Sequence, residues 1–121
     1  MKQSKIIEAY KAIQTMMNEP LTIGSSYKIF KLKKRLQDQW DFQYGEEQKL
    51  LTELQPDMNG DGMKFASTED ADRYRALIKE LSNIDVEIEG LPVRIPLTEN
   101  ITLSPANIEA LDGFIEFYEE A

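Results

Sequence analysis

The most constraining feature of this chain is a pattern of apolar residues at helical spacing that runs from Tyr27 to about Leu54. Residues three or four positions apart lie on one side of a helix, so the pattern predicts a long helix over residues 26–55 that ends before Pro56. Gly45 weakens its middle by about 1 kcal/mol. This leaves a break at that point as the alternative to the continuous helix, which is favoured. The stripe consists of Ile29, Leu32, Leu36, Trp40, Leu50, Leu51 and Leu54.

Capping residues and prolines set the bounds of the first two helices. Ser25 or Ser26 can cap the long helix by accepting a backbone N–H. An earlier helix is predicted over residues 4–18 and ends before Pro20, because the residue preceding a proline is disfavoured in the α region. Its stripe consists of Ile6, Tyr10, Ile13 and Met17.

Two further helices are predicted in the second half of the chain. Ser67 and Asp70 stand at capping-box spacing and begin a helix predicted over residues 68–82. Ser104 can cap a final helix over residues 105–119, with a proline in its first turn. The aromatic residues near its end are interpreted as core in preference to interface: Phe114, Phe117 and Tyr118.

Three short segments favour β structure. Apolar and acidic residues alternate over residues 84–89, which is typical of a half-buried strand. Residues 91–97 alternate again, but two prolines restrict them to an edge or an irregular arm. Residues 63–66 follow a turn-rich stretch and can form a small hairpin. The sequence thus predicts one mainly α (α+β) domain over residues 1–121: a long helical hairpin or bundle with a small antiparallel β element and a C-terminal helix.

The chain contains neither histidine nor cysteine. These residues supply most proton transfer near neutral pH, the thiolate nucleophile and the ordinary ligands of zinc, haem and iron–sulfur clusters. No glycine-rich phosphate loop is present, and no carboxylate pair stands out among the many acidic residues. We therefore predict a protein that is not an enzyme and holds no cofactor.

Charge is divided unevenly along the chain, whose net charge is −8. Residues 1–44 carry eight basic and four acidic side chains, whereas residues 45–121 carry six basic and eighteen acidic ones. Such asymmetry favours self-association or a basic partner for the acidic part, although a simply solvated acidic surface is the alternative. The sequence has no apolar run long enough for a membrane span and no signal-peptide pattern, so we expect a cytoplasmic location and no membrane partner.

A turn-rich stretch resembles the opening of a calcium-binding loop. Asp57, Asn59 and Asp61 occupy alternate positions and are followed by a glycine. The rest of the loop departs from that pattern, because Lys64 stands where an apolar residue is usual and Thr68 stands where a bidentate glutamate is needed. A turn built from Asp, Asn and Gly for backbone reasons is the favoured interpretation. Calcium binding is retained as a weak candidate, and no metal site is predicted.

The first turns of the long helix are basic. Lys28, Lys31 and Arg35 share one side of it, and the apolar Leu36 and Trp40 follow. We predict these five residues as a partner-binding surface for a protein. Nucleic acid is not the expected partner, because the whole chain is acidic and carries no known reading motif.

Four stretches together resemble a group of small proteins encoded by tailed bacteriophages and prophages of Gram-positive bacteria. They are the opening amphipathic helix, SYKIFKLKKRL at residues 26–36, the hydrophobic arm at residues 84–97, and LSPANIEAL at residues 103–111. The group has no established activity, so the resemblance carries over no catalytic residues. It implies a phage or prophage origin, a location in the bacterial host or in the virion, and an accessory or assembly role.

The leading hypothesis is therefore a non-enzymatic interaction protein that pairs with itself or a partner through its long helix. A second hypothesis is an inhibitor or regulator of a host protein whose acidic half mimics a charged ligand. Such binding would weaken steeply with salt and depend on residues such as Asp85, Glu87 and Glu89. Calcium sensing is the third hypothesis.

Overall fold

The computed structural model describes residues 1–60, 62–98 and 101–119, and within them the protein is mainly helical with a minor β element. The long helix is continuous through Gly45, as expected, and spans about 48 Å at the standard rise. The elements in chain order are α1 (Gln3–Met16), α2 (Ile23–Leu54), α3 (Thr68–Ser82), β1 (Val93–Pro96), α4 (Pro105–Ala110) and β2 (Ile115–Tyr118).

The core lies between α1 and the first half of α2. Both stripes identified by their helical spacing supply it, and each fully buried aliphatic side chain contributes about 1.5–3 kcal/mol relative to an exposed one. The two short strands and the end of α4 complete the cluster. Its largest fully buried members are Ile6, Ile13, Met16, Leu32, Leu36, Ile95, Leu111 and Phe114.

The long helix begins three residues earlier than its predicted start at residue 26. Its N-cap is Thr22, whose side chain accepts from the Ser25 amide at 3.5 Å, so neither predicted serine is the cap. Ser25 instead lies in the first turn and is buried. At the other end the helix stops at Leu54, and Gln55 adopts a left-handed φ of 46° just before Pro56.

The predicted hairpin around residues 63–66 is reduced to a single antiparallel bridge. The amide of Asp57 donates to the Lys64 carbonyl at 2.8 Å, and the reciprocal bond measures 2.9 Å. The predicted cap of α3 is confirmed, because the Ser67 hydroxyl accepts from the Asp70 amide at 3.1 Å. The Phe65 ring then packs 5.4 Å from the ring of Tyr74 and ties this turn to α3.

The alternating segment at residues 84–89 does not form a regular strand. Among the described residues, its backbone pairs only with the start of the chain: Gln3 donates to the Ile84 carbonyl at 2.8 Å, and Val86 donates to the Met1 carbonyl at 2.8 Å. A strand needs a partner of matching length, and α1 begins at Gln3, which leaves too few extended residues opposite. The alternating pattern therefore predicted that one side of this segment is half-buried, but it wrongly predicted the continuous backbone pairing of a strand.

The β element is a two-stranded parallel sheet, so the antiparallel prediction was wrong. β1 and β2 pair in the register Val93↔Ile115 through Pro96↔Tyr118. Parallel neighbours need a crossover connection, which here contains α4. The two prolines of the predicted arm fit this geometry. The amides of the residues that follow them, Val93 and Leu97, donate to the carbonyls of Phe114 and Tyr118 at 2.8 and 2.7 Å.

The predicted final helix at residues 105–119 was wrong in its second half. Ser104 caps α4 as expected, accepting from the Asn107 amide at 3.2 Å, but the helix ends at Ala110. Gly113 then takes a φ of 85°, which redirects the chain. In β2, Ile115 and Phe117 alternate with Glu116, the period of two of a strand. The spacing of three and four among Ile108, Leu111, Ile115 and Tyr118 equally fits a helix face, which is why the sequence predicted a helix here.

Candidate interaction surface

One side of α2 faces solvent. The first turns of the helix carry a stripe of exposed apolar side chains on that side. Ile23, Tyr27 and Phe30 recur at spacings of four and three and are 91%, 60% and 44% exposed. The stripe lies opposite the core-facing positions of the same helix. We call this side the outer face; its positions are 23, 27, 30, 34, 38, 41 and 45, flanked by 31 and 42.

Lysine side chains lie over the aromatic rings of the outer face. The Lys31 ammonium lies 5.5 Å from the centre of the Tyr27 ring, and the Lys34 ammonium lies 4.8 Å from that of Phe30. Contacts of this kind contribute about 0.5–1 kcal/mol each at exposed sites. The first half of the outer face is thus apolar and positively charged at once.

The second half of the outer face carries the opposite charge. Asp38 and Asp41 are exposed there, and the Asp41 carboxylate accepts from the Gln37 side-chain amide at 3.0 Å. Phe42 and Tyr44 are each about half exposed nearby, at 49% and 55%. Gly45 is the last position of the outer face. Apart from the backbone of α2 beside it, no heavy atom of the described residues lies within 4 Å of the place that its Cβ would take. The surface is therefore bipolar along the helix axis.

Of the five residues predicted to bind a partner, the structure brings only Lys31 to the outer face. Lys28 donates to the Arg94 carbonyl at 3.0 Å, and Arg35 donates to the Gly90 carbonyl at 3.3 Å. These two side chains hold β1 and the turn before it against α2.

The two apolar members of that set pack against the core, so they do not lie on the outer face. Leu36 is fully buried, and Trp40 stacks on Tyr10 with ring centres 4.8 Å apart. Sequence analysis missed Ile23, Tyr27 and Phe30 as a separate stripe. Their spacing of four and three, on the side of α2 away from Leu32, was the available signal.

A small pocket opens where α1 and α2 separate beyond Trp40. It has a volume of about 100 Å³, and Glu47 is one of the residues that line it. Burial raises the pKa of Glu47 above its usual 4.5, and the charge of Lys11 opposes this change. Burial together with the Glu47 charge raises the pKa of Tyr74. The Gln43 side-chain carbonyl is buried there, and no hydrogen-bond donor reaches it from the part of the chain that the structure describes.

The candidate calcium loop is described only in part, since Asp61 lies outside the described residues. The Asp57 carboxylate accepts from the Asn59 amide at 2.8 Å, which is a local turn of the kind the composition favours. Within residues 1–60, 62–98 and 101–119, no group of three or more acidic side chains is arranged to hold a metal ion. Calcium binding stays a prediction that titration with and without a chelator tests.

Among the described helices, none is both long and apolar enough to cross a bilayer. The chain was also compared with known proteins, and it matches no model of a protein family, no curated sequence and no solved structure. The case for a function therefore depends on the chemistry of the surfaces described above.

Proposed function

We propose that this chain is a non-enzymatic interaction protein that associates with itself or with a partner protein through the outer face of α2. The observation that carries the proposal is the exposed stripe of Ile23, Tyr27 and Phe30 on a helix whose opposite side builds the core. Large apolar side chains grouped on one exposed face favour a binding surface, because association removes them from water. Aromatic residues are also enriched at the centres of protein interfaces.

We further propose that the association serves phage particle assembly or an accessory role in a bacterial host, in the cytoplasm or on the virion. The support is the resemblance of residues 26–36, 84–97 and 103–111 to small proteins of tailed phages and prophages. The first of these stretches contains Tyr27, Phe30 and Lys31 of the outer face. Resemblance and geometry thus point to the same part of the chain.

Site-specific photo-crosslinking in cells tests the proposal. A photoreactive phenylalanine analogue replaces Phe30 or Phe42 on the outer face, and Met58 serves as a matched control. Met58 is 62% exposed, apolar and located on the turn beyond α2. We expect protein adducts at the two outer-face positions well above the level at residue 58. Equal yields at all three positions would overturn the proposal, and mass spectrometry of the adducts identifies the partner.

Charge mimicry remains a second candidate, favoured by one observation. Glu87 and Glu89 are exposed and line a shallow depression with Asp38, so three carboxylates from two segments share one patch. A basic protein surface could bind there. Binding through this patch would fall steeply as salt rises and would be lost in Glu87→Gln/Glu89→Gln. Binding through the outer face would survive Glu87→Gln/Glu89→Gln but would be weakened by Phe30→Ala.

A further inference from the structure

We infer that the occupant of the outer face is a second copy of this chain, with the two α2 helices antiparallel and the two-fold axis at the level of Leu36. This inference rests on the proposed function, since it names the partner of the same surface. Three properties of α2 carry it. Its positive and negative charges lie in different halves, complementary residues lie at matching heights along the helix axis, and the space at Gly45 is open.

The charges of α2 are separated between its two halves. Residues 23–35 carry five basic side chains and no acidic one, whereas residues 36–54 carry five acidic side chains and one basic one. Two parallel copies would bring like charges together along the whole contact. Two antiparallel copies bring the basic half of each helix to the acidic half of the other. A two-fold interface of this kind uses the same patch on both copies, so each favourable contact occurs twice.

The positions of the charged residues fit one register. With the axis at the level of residue 36, Lys34 lies at the height of Asp38 in the second copy, and Lys31 lies at the height of Asp41. All four side chains are exposed. Lysine side chains are long and flexible, so each can reach a carboxylate about one helical turn away. The same register places Phe30 at the height of Phe42, on opposite edges of the contact, so that apolar rings border the paired charges on both sides.

The open space at Gly45 fits an aromatic ring from the second copy. In this register Gly45 lies at the height of Tyr27, whose ring is 60% exposed. Apart from the adjoining backbone of α2, no heavy atom of the described residues lies within 4 Å of the position that a Cβ at residue 45 would occupy. A glycine lets another helix approach its backbone closely. The glycine that weakens α2 as an isolated helix thus provides room at the proposed contact.

A second copy accounts for the charges of the outer face better than a polyanion does. A nucleic acid or an anionic bilayer would be attracted by Lys31 and Lys34 but repelled by Asp38 and Asp41 on the same side of the helix. A protein surface that carries both charges in reverse order satisfies all four. The opposite copy of α2 is such a surface.

The first test combines the absolute mass in solution with charge reversal. We expect the wild-type chain to be a dimer by light scattering at about 100 μM, well above a micromolar dissociation constant. Lys31→Glu/Lys34→Glu and Asp38→Lys/Asp41→Lys should each raise the dissociation constant at least tenfold. An equimolar mixture of the two variants should restore the dimer, because each reversed half then meets a complementary one. Circular dichroism checks that both variants stay folded.

The second test measures orientation by disulfide formation, which the absence of native cysteine makes specific. Tyr27→Cys mixed with Gly45→Cys should give mainly the mixed disulfide. Each variant alone should form little disulfide, because the two copies of the same cysteine would lie about 27 Å apart along the axis in the antiparallel pair. Faster oxidation of Tyr27→Cys alone than of a Met58→Cys control would indicate parallel helices and overturn the inference.

The two proposals fail in different ways. A wild-type chain that is monomeric at high concentration, or charge-reversed variants that dimerise like wild type, would overturn the second copy as the occupant. In that case adducts to another protein at Phe30 would leave the proposed function standing. Both proposals would be overturned if crosslinking in cells were uniform at residues 30, 42 and 58 and the dimer in solution were unaffected by charge reversal.

Discussion

Trp40 stacks on Tyr10 with ring centres 4.8 Å apart and an angle of 22° between the ring planes. The Tyr10 hydroxyl also donates to the Gln37 side chain at 2.7 Å. One aromatic pair therefore fixes α1 to α2 near the middle of the long helix, just past the last fully buried leucine of its stripe. This contact marks the boundary between the core-facing half of α2 and the rest of the helix.

Removing this stack should destabilise the protein. We expect Trp40→Ala to lower the free energy of unfolding by about 2–4 kcal/mol, somewhat less than the loss of a fully buried aromatic residue, because Trp40 is only half-buried. Urea denaturation followed by circular dichroism measures the change. The matched control is Phe42→Ala, an aromatic truncation on the exposed side of the same helix, measured at a dilution where the chain is monomeric. A similar loss in both variants would contradict the importance of the stack.

Replacing Gly45 should stabilise the monomer. Gly45 lies inside α2 with empty space around its Cβ position, so Gly45→Ala should raise the free energy of unfolding by about 0.5–1 kcal/mol. Gly90→Ala is the contrasting control, since Gly90 has a φ of 79° and an added Cβ would lie 2.7 Å from the Arg35 guanidinium. It should lower stability. At high concentration Gly45→Ala should also weaken the proposed dimer, which separates the two effects.

The pocket at Glu47 gives stability a pH dependence. Burial raises the pKa of Glu47 in the folded state above the usual 4.5, so the folded protein holds this proton more tightly than the unfolded chain does. Stability from this group is therefore present below its unfolded pKa and is lost as the pH rises through its folded pKa. Glu47→Gln should remove that decline and make the protein more stable than wild type at pH 7.

Thermal melts of wild type and Glu47→Gln between pH 4 and pH 7 measure this difference. The matched control is Glu46→Gln, which removes a neighbouring carboxylate that is paired with Lys49 at 3.0 Å outside the pocket. If the two variants follow the same pH profile, the assignment of the decline to Glu47 is wrong.

The cap of α3 should contribute measurably to stability. Ser67→Ala removes the hydroxyl that accepts from the Asp70 amide and should cost about 1 kcal/mol. Ser4→Ala serves as the control, because Ser4 is exposed inside α1 and caps no helix. We expect the control to be neutral or slightly stabilising. Chemical denaturation of both variants decides the point, and equal effects would contradict the capping role.

The helices were largely predictable from sequence because their signals are local. The stripe containing Leu32 and Leu36 identified α2, and the Ser67 and Ser104 caps identified the starts of α3 and α4. The sheet was not predictable, because pairing depends on which segments meet in space. Within the described residues, the backbone of the alternating residues 84–89 pairs with the first three residues of the chain, whereas Ile115 pairs with Val93 across a crossover.

The outer face was only partly predictable for a related reason. The basic run drew attention to Lys28 and Arg35, but the structure uses their side chains to hold the backbone at Arg94 and Gly90. The charge of a lysine or arginine does not by itself indicate whether its side chain is free for a partner or hydrogen-bonds within its own chain. The position of Ile23, Tyr27 and Phe30 opposite the core becomes evident only when the direction of the buried stripe is known.

Burial is uneven along α2, and this has a consequence for local unfolding. All four buried residues of this helix lie in its first part: Ser25, Ile29, Leu32 and Leu36. The last turns depend on half-buried leucines, on α3 and on an exposed Arg73–Glu53 ion pair of 3.0 Å. Backbone amides near Leu32 should therefore exchange with deuterium only through global unfolding. Amides near Leu51 should exchange earlier, together with α3, as a separate cooperative unit. A single unbroken helix thus joins two regions of different stability.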